Sequence, residues 1–341
     1  MALANTHLDE YRLDYERSNM DQFENRMSTY GAFEAYKADT PNTIPGYQDL
    51  IDAYDGHRTV SVVVLKRETL TSTATRHCAV GSVQATSTYV TPSWTTIEVD
   101  FMMAPSEHKG NYIKYQNAFN HQMKTVERTF LTALDTAAYT SLEANHSTVN
   151  AADGNPYTVA ADSMVVPAAD NDLFFNEASA ILGANDLPID NINVVSSMRL
   201  RALVAEYINQ GAGNDNNRAF QFGPYSFYQS NRVTVAAGDR DTVFLAPAGS
   251  LAFLSYVDED SKLGSKSGDH EWSEQLLPRL GFNVGVLLTK DCADLSSLGG
   301  GASSASLKEN WMFSFDYSFV TAYDSGSGIG SSIFKANFTL A

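Results

Sequence analysis

The sequence predicts an α+β fold built around one very long helix, and three observations predict it. A run from about Asn111 to Asn145 contains no Pro or Gly. Its apolar residues Tyr112, Tyr115, Phe119, Met123, Val126, Phe130, Leu134 and Ala138 recur every three or four positions, which places them on one stripe of a helix. Before this run, between Arg58 and Met103, the period changes to two and the residues become β-branched. After it, Trp311, Phe313, Phe315, Tyr317 and Phe319 occupy every second position of a strand near the C-terminus. At 1.5 Å per residue the helix is a rod of roughly 50 Å, which needs something extended to lie along.

Composition narrows the function classes. With 341 residues, 43% hydrophobic and 11% aromatic, the chain can bury a sizeable core and is long enough for two or three modules. Acidic residues outnumber basic ones by 40 to 23, for a net charge of −17, which argues against a general nucleic-acid-binding surface because phosphate neutralisation requires clustered Lys and Arg. Cys78 and Cys292 are far apart, so they give neither a disulfide framework nor a CxxC knuckle and suit a reducing cytosol. The first residues lack an apolar core with basic flanks, and no window approaches 18 uncharged apolar residues. The expectation is therefore no signal peptide and no membrane span.

Taken in order, Leu8 to Lys37 carries mixed charges around a thin apolar line, Tyr11, Tyr15, Phe23, Met27 and Tyr30. So narrow a line cannot hold a helix down alone, and this arm is expected to pack on its own body or on a neighbour, weakened midway by Gly31. Thr40-Pro41-Asn42 and Ile44-Pro45-Gly46 read as an extended, turning connection. Thr59 to Leu65 and Thr95 to Phe101 read as strands paired with each other, and Thr69 to Ser93, rich in Thr, Ser, Ala and Val, reads as the rest of a projecting two-stranded ribbon.

On the long helix, Lys114, Gln116, Asn120, Gln122, Lys124, Glu127, Arg128 and Asp135 are expected to form the wet face. Beyond it, Asn150 to Pro156 reads as a turn cluster at a module boundary. Asn171 to Leu182 is a helix stopped by Gly183, Ile192 to Val195 a strand, and Ser197 the cap of a helix burying Leu200, Leu203, Val204, Tyr207 and Ile208. Gly211 to Asn217 is a polar loop, and strands follow around Gly223-Pro224, at Val243 to Ala246 and at Leu280 to Leu288. Leu298 to Ser306 is a flexible joint. The aromatic strand then turns at Asp324 to Gly328 into Phe334, Ala336, Phe338 and Leu340, so the chain is expected to end in a hairpin whose aromatic face lies on the long helix.

No constellation rises to a catalytic, cofactor or metal site. In Gly264-Ser265-Lys266-Ser267-Gly268 the centre of the would-be nucleophile elbow is Lys. Ser106-Glu107-His108-Lys109 fits Ser-x-x-Lys without the partner motifs and reads as a helix start. Gly326 to Gly330 misses the dinucleotide fingerprint, with Ser331 where the last glycine belongs. The histidines His7, His57, His77, His108, His121, His146 and His270 never stand at zinc spacing. Asp258-Glu259-Asp260 and Asn214 to Asn217 do not open a calcium loop. The expectation is a non-enzyme with no catalytic residues, no cofactor and no metal.

Charged arm, projecting ribbon, long rod, mixed inserted module and closing strands follow one another in an order that resembles the major capsid proteins of tailed double-stranded DNA phages, whose Hong Kong or Johnson fold encapsulin shells share. Phe220 to Val233, where a glycine turn leads into a strand ending in Ser230-Asn231, looks like that family's late axial segment. The resemblance implies an N-terminal arm at 1–55 and an extended β-hairpin loop at 56–105. It implies the spine helix of a peripheral domain at 106–150, an axial domain at 151–298, and returning peripheral strands at 299–341. It implies a structural subunit that self-associates as pentamers and hexamers into an icosahedral shell around packaged DNA, assembled in the host cytoplasm and residing in the virion. Implied partners are a separate scaffolding protein, a portal and decoration proteins. Lys66 near the start of the ribbon receives no crosslinking role. An encapsulin-like compartment, or a cytosolic α+β enzyme or binding protein with a scattered site, stays open as an alternative.

Overall fold

The computed structural model describes residues 3–17, 29–44, 62–65, 87–90, 92–108, 111–147, 155–171, 173–185, 187–202, 220–222, 224–294, 305–321 and 331–340. Its longest helix, Tyr112–Asn145, runs for 34 residues; Asn111 starts it by accepting a hydrogen bond on its side chain from the Lys114 N–H at 3.1 Å. Two helices precede it, α1 (Leu3–Arg17) and α2 (Gly31–Thr43), so the long helix is α3. The apolar stripe is buried from Tyr115 to Leu142, while Tyr112 at its head stays half exposed.

Against that stripe lies a six-stranded sheet. Its strands are β3 (Thr95–Met103), β10 (Leu251–Tyr256), β11 (Lys266–Ser267), β12 (His270–Leu277), β13 (Phe282–Asp294) and β14 (Ala305–Thr321). β14 is its spine, pairing with β13 and β10 along one edge and with β3 along the other. Alternation in β14 sends Trp311, Phe313 and Phe315 toward α3, where Trp311 meets Phe119 at 4.8 Å and Phe315 meets Phe130 at 5.1 Å between ring centroids. Each buried aromatic of this kind contributes about 1.5–3 kcal/mol relative to exposure.

A seven-stranded sheet makes the second body. In spatial order it holds β4 (Thr158–Ala160), β5 (Ser163–Val166), β15 (Phe334–Thr339), β9 (Asp239–Pro247), β6 (Ile192–Ser197), β8 (Tyr225–Ser230) and β7 (Phe220–Phe222). Helix α4 (Phe174–Ala184) covers it, and Phe174 packs on Phe338 at 4.9 Å. The remaining pair, β1 (Val62–Leu65) and β2 (Ser87–Val90), forms its own antiparallel two-stranded sheet.

The α+β class and the long helix are as the sequence predicts; several pairings are not. The two strands expected to pair with each other do not meet: Val62 to Leu65 pair with Ser87 to Val90, and Thr95 to Met103 pair with β14 instead. The chain does not close in a hairpin either, because β14 lies in the six-stranded sheet and β15 in the seven-stranded one. Alternation fixes which face of a strand is buried but not which strand it pairs with, and the Phe334, Ala336 and Phe338 face finds α4, not α3. The expected division at residue 298 likewise fails to follow the sheets, since β10 to β13 join β14 and only β15 returns to the inserted module. Helix α2 runs straight through Pro41. Its last turn is held from the side, by Thr40 Oγ1 bonded to the Tyr36 carbonyl at 2.7 Å and Thr43 Oγ1 to the Leu251 carbonyl at 2.6 Å. The expected helix around Leu203 to Ile208, the Gly211 to Asn217 loop, the ribbon between Lys66 and Thr86, and the Asp324 to Gly328 turn lie outside the described residues.

The arm is part of the subunit's own core. Gly31 opens α2 where a Cβ would collide with the Gln229 backbone of β8. Asp39, buried, accepts backbone N–H bonds from Gly249, Ser250 and Leu251 at 2.8–3.0 Å. Those three residues form the corner where the chain leaves β9 for β10 and so passes from one sheet to the other. Truncating this carboxylate strands three buried donors, each costing about 1–3 kcal/mol. We expect Asp39→Ala to lower the unfolding free energy of the unassembled chain by about 3–5 kcal/mol in urea titrations, with Asp39→Asn intermediate.

Candidate functional site

Four of the polar residues expected to be wet on α3 are buried: Gln116, Asn120, Glu127 and Asp135. They stand four, seven and eight residues apart, a second helical stripe beside the apolar one. The N-terminal helices lie on it. Gln116 Oε1 meets His7 Nδ1 at 2.6 Å, and its amide donates to the His7 carbonyl and to Asn120 Oδ1. Asn120 donates to Asp14 at 2.6 Å, and the Tyr11 hydroxyl donates to Glu127 at 2.7 Å. Asp135 accepts from the Phe33 N–H at 3.0 Å and from the Ser230 hydroxyl at 2.5 Å, with Arg232 Nε 4.0 Å away. That aspartate therefore ties α2, α3 and the end of β8 together.

These buried carboxylates serve architecture. Burial pushes the Asp135 carboxyl up to about 6, against the opposing pull of Ser230, the Phe33 amide and Arg232. Burial raises Asp241 to about 6 in the same way, while its Oδ1 accepts from the Ser197 and Thr242 amides. Between the ordinary aspartate range near 3.8 and about 6, the folded chain holds a proton at Asp135 that the unfolded chain has lost. Asp135 is thus an asset below this window, and its contribution falls as pH rises through it. We expect the unfolding free energy of wild type minus that of Asp135→Asn to decline from about pH 4 to about pH 6.5 and then level off, read by urea titrations at fixed ionic strength.

The residues singled out in sequence do not converge on a reaction centre, and among the described residues no three His, Cys, Asp or Glu side chains gather as a metal site. Pro105–His108 is a short 3-10 turn leading to α3, as its helix-start reading requires. Asp258 caps the helix Glu259–Leu263, which Gly264 ends with φ 65°; the acidic triplet is a helix start. His270 meets Thr289 at 2.9 Å, and His146 follows the last turn of α3. His57, His77, Lys66, Cys78, Asn214 to Asn217 and Gly326 to Gly330 lie outside the described residues.

Two features are left over once the fold is accounted for. The first is the β1–β2 ribbon, which among the described residues pairs with no other strand. The second is a cleft of about 300 Å³ at the head of α3. The Asn111 cap sets Tyr112 and Tyr115 on one face of the first turn, and His7 from α1 lies across them, with ring centroids at 5.6 and 5.1 Å. His108 meets the edge of Tyr115, whose hydroxyl donates to Glu309 of β14. Burial and that carboxylate raise the Tyr115 phenol above its usual range. No sequence pattern points to this cleft, because His7 and Glu309 on its walls stand at opposite ends of the chain.

No family model matches the chain, and no curated protein matches it. Among solved structures it is similar to the capsid of a native GTA particle, at 10% identity over 83% of this chain and 86% of that one with a TM-score of 0.46. It is similar to the mature capsid of bacteriophage PhiM1, at 11% identity over 84% of each chain with a TM-score of 0.44. The satellite phage P4 procapsid, which includes a size determination protein, gives 10% identity over 83% of this chain and 90% of that one, with a TM-score of 0.35.

Proposed function

We propose that this chain is the structural subunit of an icosahedral phage shell enclosing double-stranded DNA, built by self-association through pentamers and hexamers. The observation that carries the reading is the contrast between a body closed by its own N-terminal helices and a ribbon that, among the described residues, pairs only with itself. A lone two-stranded ribbon is marginally stable in water and gains by resting on a partner. Repeated between identical copies, such contacts add up to a shell whose stability depends on subunit concentration. The acidic balance of 40 to 23 suits a container wall that does not adhere to the phosphates packed beside it. In this reading the ribbon is the extended loop, α3 the spine helix, and the seven-stranded sheet the core of the axial domain. A scaffolding protein sets shell size, a portal occupies one vertex, decoration proteins bind outside, and assembly takes place in the host cytoplasm. The chain carries no reaction of its own.

Electron microscopy of the expressed protein, alone and with its scaffold, tests the proposal. Closed particles are expected, with nuclease-protected DNA inside those recovered from an infection; a protein cargo in their place would mark a compartment shell. Deleting Thr69 to Ser93 should abolish particles yet leave a folded subunit with an unchanged unfolding midpoint. One or two chains under every condition would overturn the reading.

A further inference from the structure

The cleft at the head of α3 is a built site without an assigned use. Glu309 is only 4% exposed, yet it lines the cleft. The walls around it are aromatic, and no lysine or arginine is among the lining residues. Lys290 stands opposite Glu309 across the β13–β14 pair but does not line the cleft. At the rim, Tyr112 is 50% exposed and hydrogen-bonded to Glu10, which brings a second carboxylate to the entrance; its neighbour Ile113 is 71% exposed. A carboxylate beneath the faces of tyrosine rings favours an alkylammonium or guanidinium group, which gains both the ion pair and the attraction of the ring quadrupoles. A cleft of about 300 Å³ has room for one long side chain and its head group.

The chain itself holds a segment of matching charge. Residues 56–94 carry Arg58, Lys66, Arg67 and Arg76 against one acidic residue, Glu68, within a protein of net charge −17. The stem of this segment begins beyond Thr95, at the far end of β3 from the cleft, and β3 spans about 30 Å at the usual rise per residue. We infer that the cleft formed by Tyr112, Tyr115, His7 and Glu309 receives a basic side chain from the 56–94 segment of a second copy of the chain. The inference rests on the proposed shell function and gives its ribbon a charged anchor point.

Fluorescence anisotropy of a labelled synthetic peptide of residues 66–77, titrated with the unassembled full chain, tests it. That peptide contains Lys66, Arg67 and Arg76. Saturable binding is expected, weakened at least ten-fold by Glu309→Gln, which keeps an acceptor for the Tyr115 hydroxyl while removing the charge. Tyr112→Ala, at a half-exposed position, should weaken it in the same way, and so should replacing the three basic residues of the peptide with Ala. Absence of saturable binding to the wild-type chain, or binding indifferent to both protein substitutions, would overturn the inference. Failure of the shell function shows separately, as absence of particles in the microscope.

Discussion

A polar side chain can be buried only with a partner, and α3 buries four of them in a row. Gln116, Asn120, Glu127 and Asp135 form a stripe that would be costly inside the protein if the N-terminal helices did not lie on it. The long helix is therefore committed on two sides: aromatic residues of β14 cover its apolar stripe, and His7, Asp14, Tyr11 and the Phe33 amide satisfy its polar one. Everything else hangs from this arrangement. With α3 fixed, α2 is held by Asp135 at one end, and its Asp39 reaches the corner where β9 passes into β10. Two sheets that share no strand are joined through one helix of 13 residues.

That economy explains where the subunit is complete and where it is not. The body supplies its own partners: the ends of α3 are tied down, by the Asn111 side chain at the head and by the Ser147 N–H to the Ile333 carbonyl at 2.7 Å beyond the tail. The described strands of the ribbon take no part in this network, and the aromatic cleft beside Glu309 holds more negative character than its lining neutralises. A surplus of strand at one place and a surplus of charge at another are what self-assembly can use, since each is satisfied by copies of the same chain.

Much of the architecture was legible in the sequence, for a physical reason. Periodicity reports the number of buried faces an element has, so the stripe on α3 and the alternation of Trp311, Phe313 and Phe315 located the two halves of the main core and even their contact. It does not report partners. The split of β14 and β15 between two sheets, and the pairing of β3 with β14, depend on contacts between distant residues that alternation cannot encode. The polar stripe was visible as spacing but read as solvent-facing, because Gln, Asn, Glu and Asp at helical intervals look alike whether water or an N-terminal helix satisfies them. Pro41 argued for a break, and tertiary packing with two threonine hydroxyl bonds overrode it. The cleft could not be found at all, since His7, Tyr112 and Glu309 come together only in the folded chain.

The account stands on a subunit whose body is finished alone and whose ribbon is finished by its neighbours. Hydrogen–deuterium exchange compared between the free chain and closed particles measures this directly. Amides of α2 and α3 should be protected in both states, while those of Val62–Leu65 and Ser87–Val90 should exchange quickly in the free chain and become protected in the particle. Ribbon amides already protected in the free chain, or still fast in the particle, would contradict it.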